Sequence, residues 1–275
     1  MNRRVTIIGA GLLVLVVAGV AIPFIMKARL KANLAASQNN LRELALFAAH
    51  NAKPDPKNDK RKLLTEIPAG TIPLYGTPPE DRLSWVVGVI PGMDQRRVNS
   101  EQLLSAIDRT KPWNADTNQQ AARTRLPVLL CPENLPEVLP GSPAITCYVG
   151  ISGLGANAAA LPIDSPHAGA MRYDAPTPFD RISDGLSQTL LFAETRNEFG
   201  PWLRGGPSTV RGLDNAPGAP ALIGTDGQFG GYFPGIAHFA MCDGSVRAFT
   251  ANVDPRVLYG LSTIAGKNTD PVPGE

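Results

Sequence analysis

Near the C-terminal end of the chain, a histidine, a cysteine and an aspartate have types and spacing that could bind a metal ion. His238 and Cys242 are four residues apart, so both side chains would point to the same face of a strand, and Asp243 follows directly. Zinc sites take four ligands at recognisable spacing, whereas the other two histidines, His50 and His167, are far from this segment. Because the ligands are too few, we expect no metal ion.

Three further patterns share only part of a known functional motif. Ser152 lies in GISGLG (150–155), but Gly153 directly follows the serine, so the Gly-x-Ser-x-Gly pattern of an esterase nucleophile is not met. The stretch GTDGQFGGYFPG (224–235) lacks the Lys-Ser/Thr of a phosphate-binding loop. Three carboxylates could bind calcium, those of Asp226, Asp243 and Glu194, but they are not gathered in an EF-hand-like loop.

These partial motifs predict structural elements instead of a reaction. We expect Ser152 in a tight glycine-rich turn, residues 224–235 in a flexible loop with a binding surface as the alternative, and the three carboxylates in solvent. The sequence therefore predicts no catalytic residue and no cofactor.

Asp243 and Gly244 form the strongest turn signal in the chain, because residues of alternating polarity flank them in HFAMCDGSVRAF (238–249). We predict a two-residue primed turn with Gly244 at positive φ. The residue pairs it would align are Met241 with Val246 and Phe239 with Ala248. Phe239, Met241 and Val246 are then expected to face the core.

The N-terminal part of the chain has the composition of a membrane anchor. Residues 1–4 form a short basic N-terminus, and residues 5–26 are uncharged and long enough as a helix to cross a hydrocarbon core of about 30 Å. The apolar run continues through Pro23 instead of ending at a small-residue cleavage site, which favours an uncleaved anchor over a secretory signal. Leucines at helical spacing predict that the helix extends over residues 27–50, and two prolines predict a linker or turn at 51–60.

Charge and cysteine content bear on the partners and the compartment. Lys27, Arg29 and Lys31 follow the apolar run, but Arg3 and Arg4 precede it, so flanking charge leaves the orientation open. The formal net charge is +2 with no long basic run, which argues against a nucleic-acid partner.

The three cysteines allow two interpretations. Cys131 and Cys147 are close enough in sequence to close a short disulfide loop, as suits an oxidising extracytoplasmic compartment, and Cys242 would then remain free. Alternatively, all three are plain buried thiols. Residues 61–275 have a size compatible with one domain, and their many prolines and glycines predict short strands and loops. Within this domain we predict a brief helix at EQLLSAID (101–108), a strand at SQTLLFAET (187–195) after the Asp184-Gly185 turn, and a long surface excursion over the Gly- and Pro-rich residues 205–235.

Six segments in a fixed order resemble the type IV pilin-like, prepilin-type family described as having domain of unknown function 1559. The segments are SQNNLREL (37–44), SWVVGVIPGMDQ (84–95), LPVLLCP (126–132), CYVGISG (147–153), ISDGLSQTLLFAE (182–194) and DGSVRAF (243–249). The resemblance implies an α+β fold in which the C-terminal half of a long N-terminal helix packs on an antiparallel sheet.

Three positions, in two of the family's signatures, differ from the pattern of that family. Arg4 stands where the family has the glycine of a peptidase site, and Gly9 stands where it has a glutamate. Phe233 occupies the position of a family histidine ten residues before Asp243, while His238 is out of register. We therefore expect the chain to stay anchored at full length.

The sequence as a whole predicts a membrane-anchored, extracytoplasmic, pilin-like envelope protein with a structural or assembly role and no catalysis. Its partners would be the membrane and either other proteins or further copies of the chain. The alternative is a tethered binding module for a glycan, a solute or a protein. Exposure of Tyr232, Phe233 and Trp202 would favour binding, whereas burial of all three would favour the structural role.

Overall fold

The computed structural model describes residues 3–50, 52–54, 61–63, 66–93, 99–133 and 138–266. Side chains are described for residues 19, 21–48, 66–93, 99–133 and 138–266. The helices are α1 Arg3–His50, α2 Val86–Val89, α3 Ser100–Ser105, α4 Gln119–Ala122 and α5 Pro255–Ser262. The strands are β1 Ala52–Pro54, β2 Arg61–Leu63, β3 Glu66–Ile67, β4 Ile145–Thr146, β5 Tyr148–Leu154, β6 Thr177–Pro178, β7 Leu190–Glu194, β8 Gly200–Pro201, β9 Val210–Leu213, β10 Ile236–Met241 and β11 Val246–Thr250.

The long helix α1 confirms that the chain stays helical from the apolar N-terminal run to about residue 50, with Pro23 inside the helix. Its buried side chains follow helical spacing, because Leu41, Leu44, Ala45 and Ala48 form one stripe facing the sheet. The side chains of residues 5–18 and 20 in the predicted anchor lie outside the described part of the chain. Within that part, no helix is both long enough and apolar enough to cross a membrane.

The central sheet has five strands in the order β11-β10-β7-β5-β9. All neighbouring pairs are antiparallel except β5 and β9, which are parallel, so the expected purely antiparallel sheet is wrong and the sheet is mixed. Strand β9 runs in the direction opposite to β7, but it pairs with β5, on the side of β5 that faces away from β7. Because β5 is also antiparallel to β7, β5 and β9 are parallel. Three further sheets have two strands each: β1 with β2, β3 with β6, and β4 with β8.

The sheet separates two apolar clusters because side chains alternate between its faces. On one face, Phe192 and Ala240 pack with Trp85 and with the buried leucines of α1. On the other, Val149 and Phe239 pack with Leu258 of α5. The four strands β5, β7, β9 and β10 are therefore buried on both faces, the edge strand β11 is partly exposed, and α1 covers only one face.

The hairpin at Asp243-Gly244 joins β10 to β11, but its geometry differs from the prediction. The Gly244 N–H donates to the Met241 carbonyl at 3.0 Å, and the Met241 N–H donates to the Ser245 carbonyl at 2.8 Å. Gly244 has φ +85°, as predicted, whereas Asp243 does not, since Glu198 is the only described non-glycine residue with positive φ. A primed turn with two positive φ values is therefore excluded, and the loop has three residues with a left-handed glycine at its end.

This extra residue shifts the predicted strand pairing. The observed partners are Ala240 with Val246 and His238 with Ala248, so the predicted pairs Met241 with Val246 and Phe239 with Ala248 are wrong. Phe239 and Met241 belong to the cluster on the α5 face, as expected for core residues. Val246 packs instead against the cluster on the α1 face, because the shift moves it to the opposite side of the sheet.

Several local predictions are confirmed and others are not. The brief helix expected at 101–108 is α3, and the strand expected at 187–195 is β7. Residues 205–235, expected to form a long surface excursion, include the buried strand β9, whose side chains complete the sheet. Of the linker predicted at 51–60, residues 52–54 form β1, and the rest lies outside the described residues.

Candidate functional site

A polar centre lies buried between α1 and the sheet, built around the carboxylate of Glu194. Glu194 ends β7, and both it and His238 of β10 are 0% exposed. The Ser37 hydroxyl of α1 donates to Oε2 of Glu194 at 3.0 Å. Oε1 accepts from the His238 backbone N–H at 3.0 Å and lies 3.1 Å from the His238 Nδ1. One buried carboxylate thus joins three elements of the fold.

Tyr148 extends this polar centre along α1. Its hydroxyl lies 3.0 Å from the Ser37 hydroxyl and accepts from Nδ2 of Asn40 at 3.3 Å. The same Asn40 amide donates to the Leu130 carbonyl at 3.0 Å. Burial raises the pKa of Tyr148 well above its ordinary value, so the phenol stays protonated and keeps its donor. The segment SQNNLREL (37–44), one of the six that resemble the family, therefore provides polar as well as apolar contacts between α1 and the rest of the domain.

Cys131 and Cys147 lie beside the polar centre as free, buried thiols. The Cys131 thiol is 4.0 Å from the Ser37 hydroxyl. Burial, with a smaller contribution from the Glu194 carboxylate, raises the pKa of Cys131 to about 12, and burial also raises the pKa of Cys147. Cys242 is a free, buried thiol as well. A disulfide between Cys131 and Cys147 remains a prediction.

The polar centre has the residue types of a hydrolase site but not its geometry. Ser37 and His238 both bind Glu194, so the histidine does not act on the serine hydroxyl. The His238 Nε2 is buried and makes no hydrogen bond with any described residue. Because all three side chains are closed to solvent, the arrangement satisfies buried polar groups and fixes α1 on the sheet.

The sequence-predicted metal and calcium candidates are not brought together. His238 and Cys242 are buried, while Asp243 is exposed and accepts from the Ser245 backbone N–H and hydroxyl. Asp226 is exposed on the rim of a cleft, whereas Glu194 is buried, which corrects its expected position in solvent. In the part of the chain that the structure describes, no group of three or more His, Cys, Asp or Glu side chains could hold a metal ion.

Ser152 is buried in the middle of β5, so the tight turn predicted there is wrong. The glycines near Ser152 allow the backbone of a neighbouring loop to approach β5 closely. Gly153 has φ +121°, and a Cβ at this position would lie 2.0 Å from the His167 carbonyl oxygen. The Gly169 N–H donates to the Ser152 carbonyl at 2.7 Å, which ties the neighbouring loop to the strand.

The three aromatic residues that distinguish a binding surface from a core are all buried: Tyr232, Phe233 and Trp202. The Trp202 indole donates to the Thr124 carbonyl at 2.9 Å. Phe233, at the position of the expected family histidine, packs edge-on against His238 with ring centroids 5.4 Å apart. None of the three forms an exposed aromatic platform.

A polar cleft of about 450 Å³ opens at the end of β9, and residues 226–228 of the loop for which a binding surface was the alternative prediction form part of its lining. Its main charged residue is Arg211, whose Nη1 donates to Oε2 of Glu198 at 2.8 Å. The Arg211 Nη2 donates to the Thr195 hydroxyl at 2.5 Å and to the Asn197 carbonyl at 2.9 Å. Burial lowers the pKa of Arg211, and Glu198 counteracts that effect. Arg211 itself lies in the short run VRGL, and no sequence pattern singled it out.

The fold and the polar centre define an α+β protein whose long N-terminal helix is fastened to a mixed sheet by buried hydrogen bonds. Residues 26–256 match the family described as Protein of unknown function (DUF1559), and the chain belongs to that family. No curated protein and no solved structure matches the chain.

Proposed function

We propose that this protein is a membrane-anchored, pilin-like protein of the cell envelope with a structural or assembly role and no catalytic activity. Residues 5–26 would form a single-pass anchor, and the C-terminal domain would lie outside the cytoplasm. The observation that carries the proposal is a contrast within the described part of α1: the apolar side chains at 22–26 are exposed, whereas a stripe further along the helix is buried on the sheet.

The described part of α1 that precedes the domain exposes large apolar side chains. Every residue from 22 to 32 is exposed. The apolar side chains at the start of this stretch have exposed fractions of 55% for Ile22, 74% for Phe24, 62% for Ile25 and 66% for Met26. A contiguous apolar surface normally marks contact with a membrane or another protein. The uncharged run at 5–26 has about the length that crosses a bilayer, which supports the membrane as its environment.

The half of α1 that lies on the sheet is held by apolar and polar contacts together. Leu41 and Leu44 are fully buried, and Ser37 and Asn40 bind groups of the sheet and the loop before it. A continuous helix held in this way fixes the domain relative to whatever surrounds the N-terminal half. This rigid connection supports a structural role, and the burial of the three aromatic residues supports it over a binding surface built from them.

Charged substitutions in the middle of the proposed anchor test the membrane attachment. The double variant Leu13→Arg/Val16→Arg introduces two charges that each oppose insertion by about 2.5–3.5 kcal/mol, so the protein should leave the membrane fraction after an alkaline wash. The matched control is Leu13→Ile/Val16→Leu at the same positions, which should stay in that fraction. The proposal fails if the unchanged protein is itself released by the alkaline wash without detergent.

Two measurements on the native envelope test the topology and the role. An impermeant lysine reagent applied to intact cells should label the domain, and labelling only after lysis of the inner membrane would refute the extracytoplasmic position. Pull-down of the detergent-solubilised protein, after chemical cross-linking, should recover further copies or the same envelope proteins in fixed proportion. Recovery of the chain alone would contradict an assembly role and favour a lone receptor.

A further inference from the structure

The polar cleft at the end of β9 shares no lining residue with the polar centre or with α1. Loops from four parts of the chain form its walls, and its polar and charged lining residues are Asn157, Asn197, Glu198, Arg211, Asp214, Asp226 and Gln228. Its volume of about 450 Å³ falls within the range of small-molecule sites. The cleft is therefore large enough for a ligand, and its chemistry decides which one.

The floor of the cleft holds a donor without an acceptor. Arg211 is only 8% exposed, and its Nη groups bind Glu198, Thr195 and two backbone carbonyls. Its Nε is buried and makes no hydrogen bond with any described residue. Because the Nε atom has almost no accessible surface, a ligand would reach Arg211 through Nη1, whose second N–H has no acceptor among the described residues.

The rim of the cleft holds acceptors without donors. Asp226 is exposed and receives no hydrogen bond from the residues that the structure describes. Oδ1 of Asp214 accepts from the Ala216 N–H at 3.0 Å, which leaves Oδ2 for a ligand. In the same way, Arg211 donates to Oε2 of Glu198, which leaves Oε1 of Glu198 to accept from a ligand. Carboxylates accept only, so a ligand must bring donors to the rim and an acceptor to the floor.

The charge of the lining narrows the ligand class further. One guanidinium faces three carboxylates, so the lining carries a net charge of −2, which disfavours anions. A purely cationic ligand would suit the rim but offers no acceptor to Arg211. Hydroxyl groups both donate and accept. We propose that this cleft binds a neutral polyhydroxylated ligand, a saccharide of one or two units, with its hydroxyls on Asp226, Asp214 and Arg211.

Calorimetric titration of the full-length protein tests this proposal. The protein is held in a detergent without a sugar headgroup, and the probes are glucose, N-acetylglucosamine, maltose and lactose, with glucuronate and putrescine as charged comparisons. At least one neutral sugar should bind with a dissociation constant of about 10 mM or lower. The dissociation constant of glucuronate should be at least about tenfold higher than that of glucose. The proposal would be overturned if none of the four neutral sugars bound, or if glucuronate or putrescine bound more tightly than the neutral sugars.

Two exposed side chains provide variants that leave the buried arginine untouched. Asp226→Ala should weaken sugar binding by about tenfold or more, because it removes acceptors from the rim. The matched control is Asp180→Ala, an exposed aspartate outside the cleft, which should bind the sugar like the unchanged protein. Thermal melts verify that both variants are folded. Equal affinity of the two variants would also overturn the proposal, and neither result depends on whether the chain is anchored in a membrane.

Discussion

Replacing Gly244 by valine should destabilise the domain through the backbone of the β10–β11 turn. Gly244 has φ +85°, a left-handed conformation that costs an L-residue about 1–2 kcal/mol, and β-branching adds to that strain. A Cβ at this position would also lie 2.9 Å from Cδ2 of Leu46 on α1. Leu46 is 42% exposed and its side-chain end can move aside, so the backbone strain should dominate.

The expected total is about 2–3 kcal/mol, which for a domain of this size corresponds to a melting temperature lower by about 4–12 °C. Thermal melts of the full-length protein in detergent measure it. Repeating the substitution in a Leu46→Ala background separates clash from strain, and we expect the two changes to be additive within about 0.5 kcal/mol.

Asp243→Asn is the matched control in the same turn. Oδ1 of Asp243 accepts from the Ser245 N–H at 2.9 Å and from its hydroxyl at 2.7 Å, and the asparagine oxygen can accept both bonds. The control should therefore change stability by less than about 0.5 kcal/mol. The reasoning is refuted if Gly244→Val melts with the unchanged protein, or if Leu46→Ala restores most of the lost stability.

Three further predictions concern α1, the buried thiols and the N-terminus. Ser37→Ala removes a hydrogen bond from the buried Glu194 carboxylate and should cost about 1–3 kcal/mol in chemical denaturation, whereas Asn39→Ala on the exposed side of α1 should cost almost nothing. The pKa of Cys131 is about 12 in the folded protein against an ordinary 9.0, so the unfolded thiol ionises first and stability should fall as pH rises from 9 to 12. Cys131→Ala should flatten that fall, and an unchanged slope would contradict the assignment. Intact mass of the membrane-extracted protein should match the full chain, and a mature N-terminus near Val5 would contradict it.

Short-range signals in the sequence determined the parts of the fold that depend on neighbouring residues. Leucines at helical spacing predicted α1 as far as about residue 50, and an apolar run after a turn predicted β7. The Asp243-Gly244 pair located the last hairpin and the positive φ of its glycine. These features follow from steric preference and side-chain periodicity, which a window of a few residues already contains.

Tertiary structure alone decided the register, the strand order and the two sites. One extra residue in the hairpin loop moved Val246 to the opposite face, because side chains in a strand alternate with period two. Pairing of β9 with β5 made the sheet mixed, and no local pattern specifies which edge a strand joins.

The polar centre and the cleft depend on this long-range arrangement. Ser37 and Glu194 are 157 residues apart, and His238 is a further 44 residues along the chain. Arg211 reaches Asn197 and Gln228 only because β9 and the loops around it converge at the sheet edge. The sequence around a polar residue in an apolar run does not reveal its hydrogen-bond partner. That partner depends on which strands and loops become neighbours, and this is determined only in the folded chain.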